Sequence, residues 1–156
     1  MKSNLISKSE SSQILKDISA RWAMQIPKTK NLRIYHIVDD AQIIAGDGFK
    51  ALKIQDMYLP FLSETGILER FPSVTVDMGA IKFMCKGANV MRPGIKKFSE
   101  FRADEIVCII EESQNKFLAV GISLVSSSEA ESMEKGEILK NMHFISDRFW
   151  EAGKTI

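Results

Sequence analysis

The stretch V-D-M-G-A-I-K-F-M-C-K-G-A-N-V-M-R-P-G-I, Val76 to Ile95, decides how this chain is read. Gly87 and Gly94 let the backbone approach a ligand closely or adopt a positive φ, and Pro93 fixes the chain direction. Between Lys82 and Arg102 the chain carries six bases (Lys82, Lys86, Arg92, Lys96, Lys97, Arg102) against one acid, Glu100. A glycine-punctuated loop with fixed positive charge suits a sugar–phosphate backbone. Composition alone leaves a second reading equally open, in which Gly87 and Pro93-Gly94 only shape turns and the bases form a solvated face.

Outward from this stretch the chain is a series of short strands. After it, Ile106–Glu111 and Phe117–Leu124 are rich in Val and Ile and are joined by the polar turn Ser113-Gln114-Asn115-Lys116. Ser126–Ser128 caps a short acidic helix running through Lys135, and Ile138 to Trp150 supplies a last strand. Just ahead of it, Val74–Val76 reads as a strand and Ala80–Cys85 as a brief helix. Near the start of the chain, Ile14, Leu15, Ile18 and Trp22 recur at helical spacing, with Ser7 and Glu10 as a capping box and Pro27 as the stop. Three β-type runs, Leu32–Val38, Ala41–Ala45 and Phe49–Ile54, are separated by Asp39-Asp40 and Gly46-Asp47-Gly48, the pattern of an antiparallel meander. Tyr58 to Glu64 reads as a second helix ended by Gly66. The fold class expected is therefore α+β, in two units: 1–72 as a small α+β unit, and 73–156 as a mixed barrel with two short helices.

Composition narrows the chemistry. The 156 residues are 45% hydrophobic and 26% charged, ordinary globular values that exclude a disordered or collagen-like chain. A net charge of +1 predicts no global field, so any attraction for a polyanion comes from local clustering. No run approaches the ~20 apolar residues of a membrane span, and the first residues lack a secretory pattern. A soluble cytoplasmic protein without membrane contact is expected. There is no phosphate-binding G-x-x-x-x-G-K-[ST] loop, no G-x-S-x-G elbow and no H-E-x-x-H zinc helix. Cys85 and Cys108 both lie in apolar stretches, where thiols behave as small hydrophobes rather than nucleophiles. The acid pairs Asp39-Asp40 and Glu111-Glu112 sit in or beside turns and read as solvated. Catalytic residues, metal ligands and cofactors are accordingly expected to be absent.

With the later segments D-E-I-V-C-I-I (Asp104–Ile110), F-L-A-V-G-I-S (Phe117–Ser123) and N-M-H-F-I-S-D-R-F-W (Asn141–Trp150), the stretch Val76–Ile95 resembles the PUA domain, the RNA-binding module named for pseudouridine synthase and archaeosine transglycosylase. The combination of V-D-x-G-A-I-K-F, G-A-N-V-M-x-P-G and a terminal D-x-x-W is most similar to the malignant-T-cell-amplified-sequence subgroup and its archaeal counterparts. The resemblance implies a pseudo-β-barrel behind a pre-PUA unit. It also implies an RNA-contacting face at Lys82, Lys86, Gly87, Ala88, Asn89, Arg92, Pro93 and Gly94, with Lys96 and Lys97 adding charge. The implied ligand is structured RNA of translation, either tRNA or small-subunit rRNA, bound without catalysis. A translation-factor partner protein accompanies the eukaryotic relatives. The alternative is an RNA-targeting subunit for a separate transglycosylase or pseudouridine synthase. Lys86 and Arg92 are the expected phosphate contacts, whose replacement should change stability by less than about 0.5 kcal/mol. His143 is expected to be structural, with base stacking as the lesser reading, and Trp22 and Trp150 to pack.

Overall fold

A computed structural model describes all residues, Met1–Ile156. The chain forms two compact units, Met1–Phe61 together with Ala152–Ile156, and Leu62–Glu151. By contact, residues 62–72 belong with the second.

The N-terminal unit opens with strand β1 (Lys2–Leu5) and helix α1 (Lys8–Trp22). Ser7 caps α1 by accepting the Glu10 N–H at 3.1 Å. The helix stops at Ala23, in a left-handed conformation (φ 52°), ahead of Pro27. Its periodic apolar face buries Ile18 completely, and the Trp22 indole N–H donates to the Tyr58 carbonyl at 2.9 Å. Strands β2 (Arg33–Val38), β3 (Ala41–Gly46), β4 (Phe49–Ile54) and β5 (Met57–Pro60) follow. They complete an antiparallel sheet in the order β1-β2-β3-β4-β5. The meander is thus as expected, but the helix expected over Tyr58–Glu64 is absent. Gln55, with φ 55°, turns the chain back so that Tyr58 pairs with Lys53 and Leu59 with Leu52. Pairing with β4 overrides the local apolar pattern, which a short run cannot resolve. The same unit contains the Lys50 ammonium, which donates to the Gly153 carbonyl at 3.1 Å. A Cβ on Gly153 would lie 2.5 Å from the Phe61 ring, so only glycine fits beneath that side chain.

The second unit begins with helix α2 (Thr65–Leu68), which contains Gly66 rather than ending on it. Then come β6 (Ser73–Val76), a 3-10 turn at Met78–Ala80, helix α3 (Ile81–Met84), β7 (Val90–Met91), a 3-10 turn at Arg92–Gly94, and β8 (Ile95–Phe98). Strands β9 (Ile106–Glu111) and β10 (Phe117–Ser123), helix α4 (Ser127–Ser132), strand β11 (Glu137–Phe144) and helix α5 (Arg148–Gly153) complete the chain. The six strands order as β7-β11-β10-β9-β6-β8, antiparallel except for the parallel pair β6–β9. The two edge strands, β7 and β8, are joined by only the 3-10 turn Arg92–Gly94, which draws the sheet into a nearly closed barrel. Val74, Val76, Val107, Ile109, Ile138 and Leu139 fill its interior.

Three expectations change here. The last strand ends at Phe144, because Asp147 caps α5 by accepting the Trp150 N–H at 2.7 Å. Helix α4 stops at Ser132, short of Lys135. Glu111, read as solvated, is buried, and its carboxylate closes the β9–β10 turn by accepting the N–H groups of Ser113, Gln114 and Lys116 and the Ser113 hydroxyl. The Lys116 N–H and Ser113 hydroxyl lead the effects that hold this carboxyl down at about 2. No helix is long and apolar enough to cross a membrane.

Candidate nucleic-acid interface

The stretch Val76–Ile95 folds into one wall and one rim of a cleft. Asp77 Oδ1 accepts the Ala80 N–H at 2.9 Å and so caps the 3-10 turn that feeds α3. Met84, on the inner side of α3, is buried, whereas Phe83 and Met78 are about half exposed. The chain leaves α3 through Gly87, whose φ of +90° disfavours any side chain and whose absent Cβ would lie 3.0 Å from the Phe144 ring. Beyond it, Asn141 on β11 stitches the loop down. The Asn141 amide nitrogen Nδ2 donates to the Met84 and Ala88 carbonyls, both at 3.1 Å, and its backbone N–H donates to Asn89 Oδ1 at 3.0 Å. The Asp77 N–H donates to the Gly94 carbonyl at 3.0 Å and ties the far rim to the start of the 3-10 turn.

Between α3 and residues 88–94 lies a solvent-open cleft of about 370 Å³, lined among others by Val76, Ala80, Phe83, Ala88, Val90 and Met91. Its walls are chiefly apolar, and Phe83 and Met91 leave large apolar surfaces in water at its mouth, 52% and 46% exposed respectively. Lys82 and Lys86 are exposed beside it, with the Lys82 ammonium 5.2 Å from the centre of the Phe83 ring.

The expected site residues separate in the structure. Ala88, Asn89 and Gly94 line the cleft, and Lys82 and Lys86 flank it on and just after α3. Gly87 and Asn89 both hold the loop, Asn89 also donating to Glu137 Oε2 at 3.3 Å. Pro93 is exposed in the turn between β7 and β8, and Lys96 and Lys97 are exposed on β8, outside the lining of the cleft. Arg92 is not a free cation: its Nε donates to the Ala130 carbonyl at 2.7 Å, and its guanidinium lies 4.9 Å from the centre of the Phe98 ring. Arg92→Ala should therefore cost about 1–2 kcal/mol, from one charge-assisted hydrogen bond and one cation–π contact. A denaturation midpoint unchanged from the parent chain would refute this anchoring role. Sequence reasoning passes over Phe83 and Met91, because their apolar character reads as core until the fold shows them in solvent.

His143 is fully buried, its Nε2 accepting the Leu62 N–H at 3.2 Å and its Nδ1 bonded to Asp147 Oδ2 at 2.8 Å. Nδ1 therefore carries the ring proton, and no face is open to a base. Burial pushes both thiols up, Cys108 to about 12. No three His, Cys, Asp or Glu side chains come together as metal ligands.

Comparison with known proteins places this geometry in context. The family model of the PUA domain matches residues 72–145. An uncharacterised protein of Methanocaldococcus jannaschii is 38% identical over 130 residues, covering 80% of this chain and 78% of that one. Malignant T-cell-amplified sequence 1-A of Xenopus laevis is 31% identical over 139 residues, covering 83% and 76%. Translation machinery-associated protein 20 of Eremothecium gossypii is 31% identical over 134 residues, covering 80% and 74%. Among solved structures, a hypothetical protein of Pyrococcus horikoshii superposes with a TM-score of 0.80 at 23% identity, covering 97% of this chain and 99% of that one.

Proposed function

Since this chain belongs to the PUA-domain family that includes the malignant T-cell-amplified-sequence proteins, we propose that it binds RNA of the translation machinery through the cleft beside α3, without catalysing a reaction. The PUA domain and the names of the relatives point to RNA binding and translation. The finer reading is that one unstacked base enters the apolar cleft against Phe83 and Met91 while Lys82 and Lys86 hold the adjoining phosphates.

A single observation carries this reading: an apolar, solvent-open cleft with a half-exposed phenyl ring at its mouth and two lysines beside it. Side chains recognise RNA chiefly at unpaired bases, which stack on aromatic rings, because the A-form major groove is too narrow to read. An unpaired end or loop of a structured RNA fits this geometry, and tRNA and small-subunit rRNA, the polyanions of the cytoplasmic translation apparatus, are the proposed ligands. Binding without catalysis is supported by the engagement of both His143 ring nitrogens and by the burial that suppresses both thiolates.

Loss of base stacking in Phe83→Ala should weaken binding by about 1–3 kcal/mol, roughly 5- to 150-fold, with little change in salt dependence. Lys86→Ala should instead reduce the slope of log affinity against log salt by about 0.7 on a single strand. Titrations of tRNA with an intact and a trimmed 3′ end, and of small-subunit rRNA fragments, provide the readout. Parental affinity in both variants for all of these RNAs would rule out the cleft.

A further inference from the structure

The division into two units redistributes the charge of the chain. Residues of the N-terminal unit carry ten Lys or Arg against six Asp or Glu, a surplus of four. Residues 62–151 carry eleven against fourteen, a deficit of three. The unit that holds the cleft is thus the acidic one, so beyond its local lysines its net charge repels an RNA rather than attracting it.

Six of the ten bases of the N-terminal unit (Lys2, Lys8, Arg21, Lys28, Lys30 and Arg33) fall in two segments of the chain. No Asp or Glu occurs in residues 1–9 or 18–38. The antiparallel pairing of β1 with β2 sets these two acid-free segments side by side, Lys2 opposite His36 and Leu5 opposite Arg33. β1 is the edge of the sheet, and all four of its residues are exposed. Its alternation puts Lys2 and Asn4 on one face and Ser3 on the other. His36 Nε2 lies 3.2 Å from Asn4 Oδ1, and an Arg33 Nη donates to the Ser3 hydroxyl at 3.3 Å. Lys8 opens α1, separated from β1 by Ile6 and Ser7, Lys28 and Lys30 lead into β2, and all three are exposed. The acids bordering this ribbon are Glu10, in the first turn of α1, the exposed pair Asp39-Asp40 in the turn that follows β2, and Asp47, whose carboxylate already accepts from Asn31 Nδ2 at 3.1 Å.

We infer that the β1–β2 edge is a second, sequence-independent RNA contact, at which Lys2, Lys8, Lys28 and Lys30 bind backbone phosphates. The inference rests on the reading that the chain binds RNA. Lysines beside short hydroxyl and amide side chains are the groups proteins aim at phosphate and sugar. A protein partner is the weaker fit, since interface cores are depleted in charge. The exposed apolar residues of this edge, Met1 and Leu5, have Ser3 between them on their face and form no continuous patch. The cleft then supplies selectivity, and the N-terminal edge supplies the attraction that the barrel's own charge withholds.

The test uses the full chain with Lys2, Lys8, Lys28 and Lys30 all replaced by Ala, titrated with a tRNA and with a mixed-sequence single-stranded RNA across a salt series. For every phosphate of the single strand that a lysine no longer neutralises, the slope of log affinity against log salt should flatten by about 0.7, and at low salt the affinity should fall by about tenfold or more. The thermal midpoint should stay at the parental value. A slope equal to the parent's, while Phe83→Ala still weakens binding, would overturn this inference and leave the cleft standing. Parental RNA binding combined with loss of an acidic protein partner would assign the edge to that partner and overturn it as well. A parent chain that binds neither RNA would remove the cleft reading and this inference together.

Discussion

Asp147→Ala is expected to destabilise the barrel unit by about 4 kcal/mol, the largest effect of any single replacement considered for this chain. The carboxylate is the common acceptor for three donors: His143 Nδ1 at 2.8 Å, the Phe144 N–H at 2.8 Å and the Trp150 N–H at 2.7 Å. Removing it takes this acceptor from all three, in a buried site for His143 and a partly buried one for the two N–H groups, at roughly 1–3 kcal/mol for each donor that water cannot reach, and it uncaps α5. It also frees the imidazole that holds the Leu62 N–H. The wild-type interaction carries its own pH dependence. Burial alone would raise the Asp147 carboxyl, but the hydrogen bonds from His143 and from the two backbone N–H groups outweigh it and leave the group below its ordinary value. A depressed folded-state value means that the stabilisation is fully present above the unfolded aspartate value of about 3.9 and is lost as the pH falls through the folded one. Denaturation as a function of pH should show this acid limb in the parent and a shallower one in Asp147→Asn, which cannot ionise. Parallel acid limbs in the two proteins would refute the assignment.

Gly87→Val should lose stability and RNA affinity together, unlike the lysine variants, which should lose affinity alone. At φ +90° a β-branched residue is strained, and its Cβ would press on the Phe144 ring at 3.0 Å. Strain of this kind costs about 1–3 kcal/mol before any packing penalty. The loop could escape it only by lifting from β11, which would break the Asn141 stitches and deform the far wall of the cleft. A denaturation midpoint and an RNA titration on the same preparation distinguish the outcomes. Parental stability in Gly87→Val would show that the loop has room to turn another way. Parental affinity at reduced stability would detach the loop from the cleft.

What the amino-acid sequence discloses follows the physics of each element. Strands β2, β3 and β4 are legible because short runs rich in apolar residues are separated by turn residues that tolerate a positive φ, here Asp40 and Gly48. Strands β1 and β8 are not, since K-S-N-L and I-K-K-F are short, largely exposed edges whose extended state comes from a neighbouring strand rather than from their own pattern. The aromatic end R-F-W reads as strand until Asp147 is recognised as a helix cap. At the site, the loop's charge and its glycines are legible one residue at a time. The cleft is not, because Phe83 and Met91 become a mouth only when α3 and β7 face each other. Arg92 shows the converse: its charge is plain in the sequence, and its attachment to Ala130, 38 positions away, is not. The charge asymmetry is hidden by division at the midpoint, since residues 1–76 carry ten bases against eight acids. Assigning residues 62–76 to the barrel unit reveals it.

The seat beneath Phe61 bears on how the chain is made. Residues 1–61 leave the ribosome first, yet the ammonium of Lys50 and the ring of Phe61 receive Gly153 only after the ninety residues from Leu62 to Glu151 have been synthesised. Domains made early in a chain ordinarily fold early. Here residues 1–61 are synthesised well before the residue that completes their packing, and until Gly153 arrives the Phe61 ring and the Lys50 ammonium lack the backbone that sits against them.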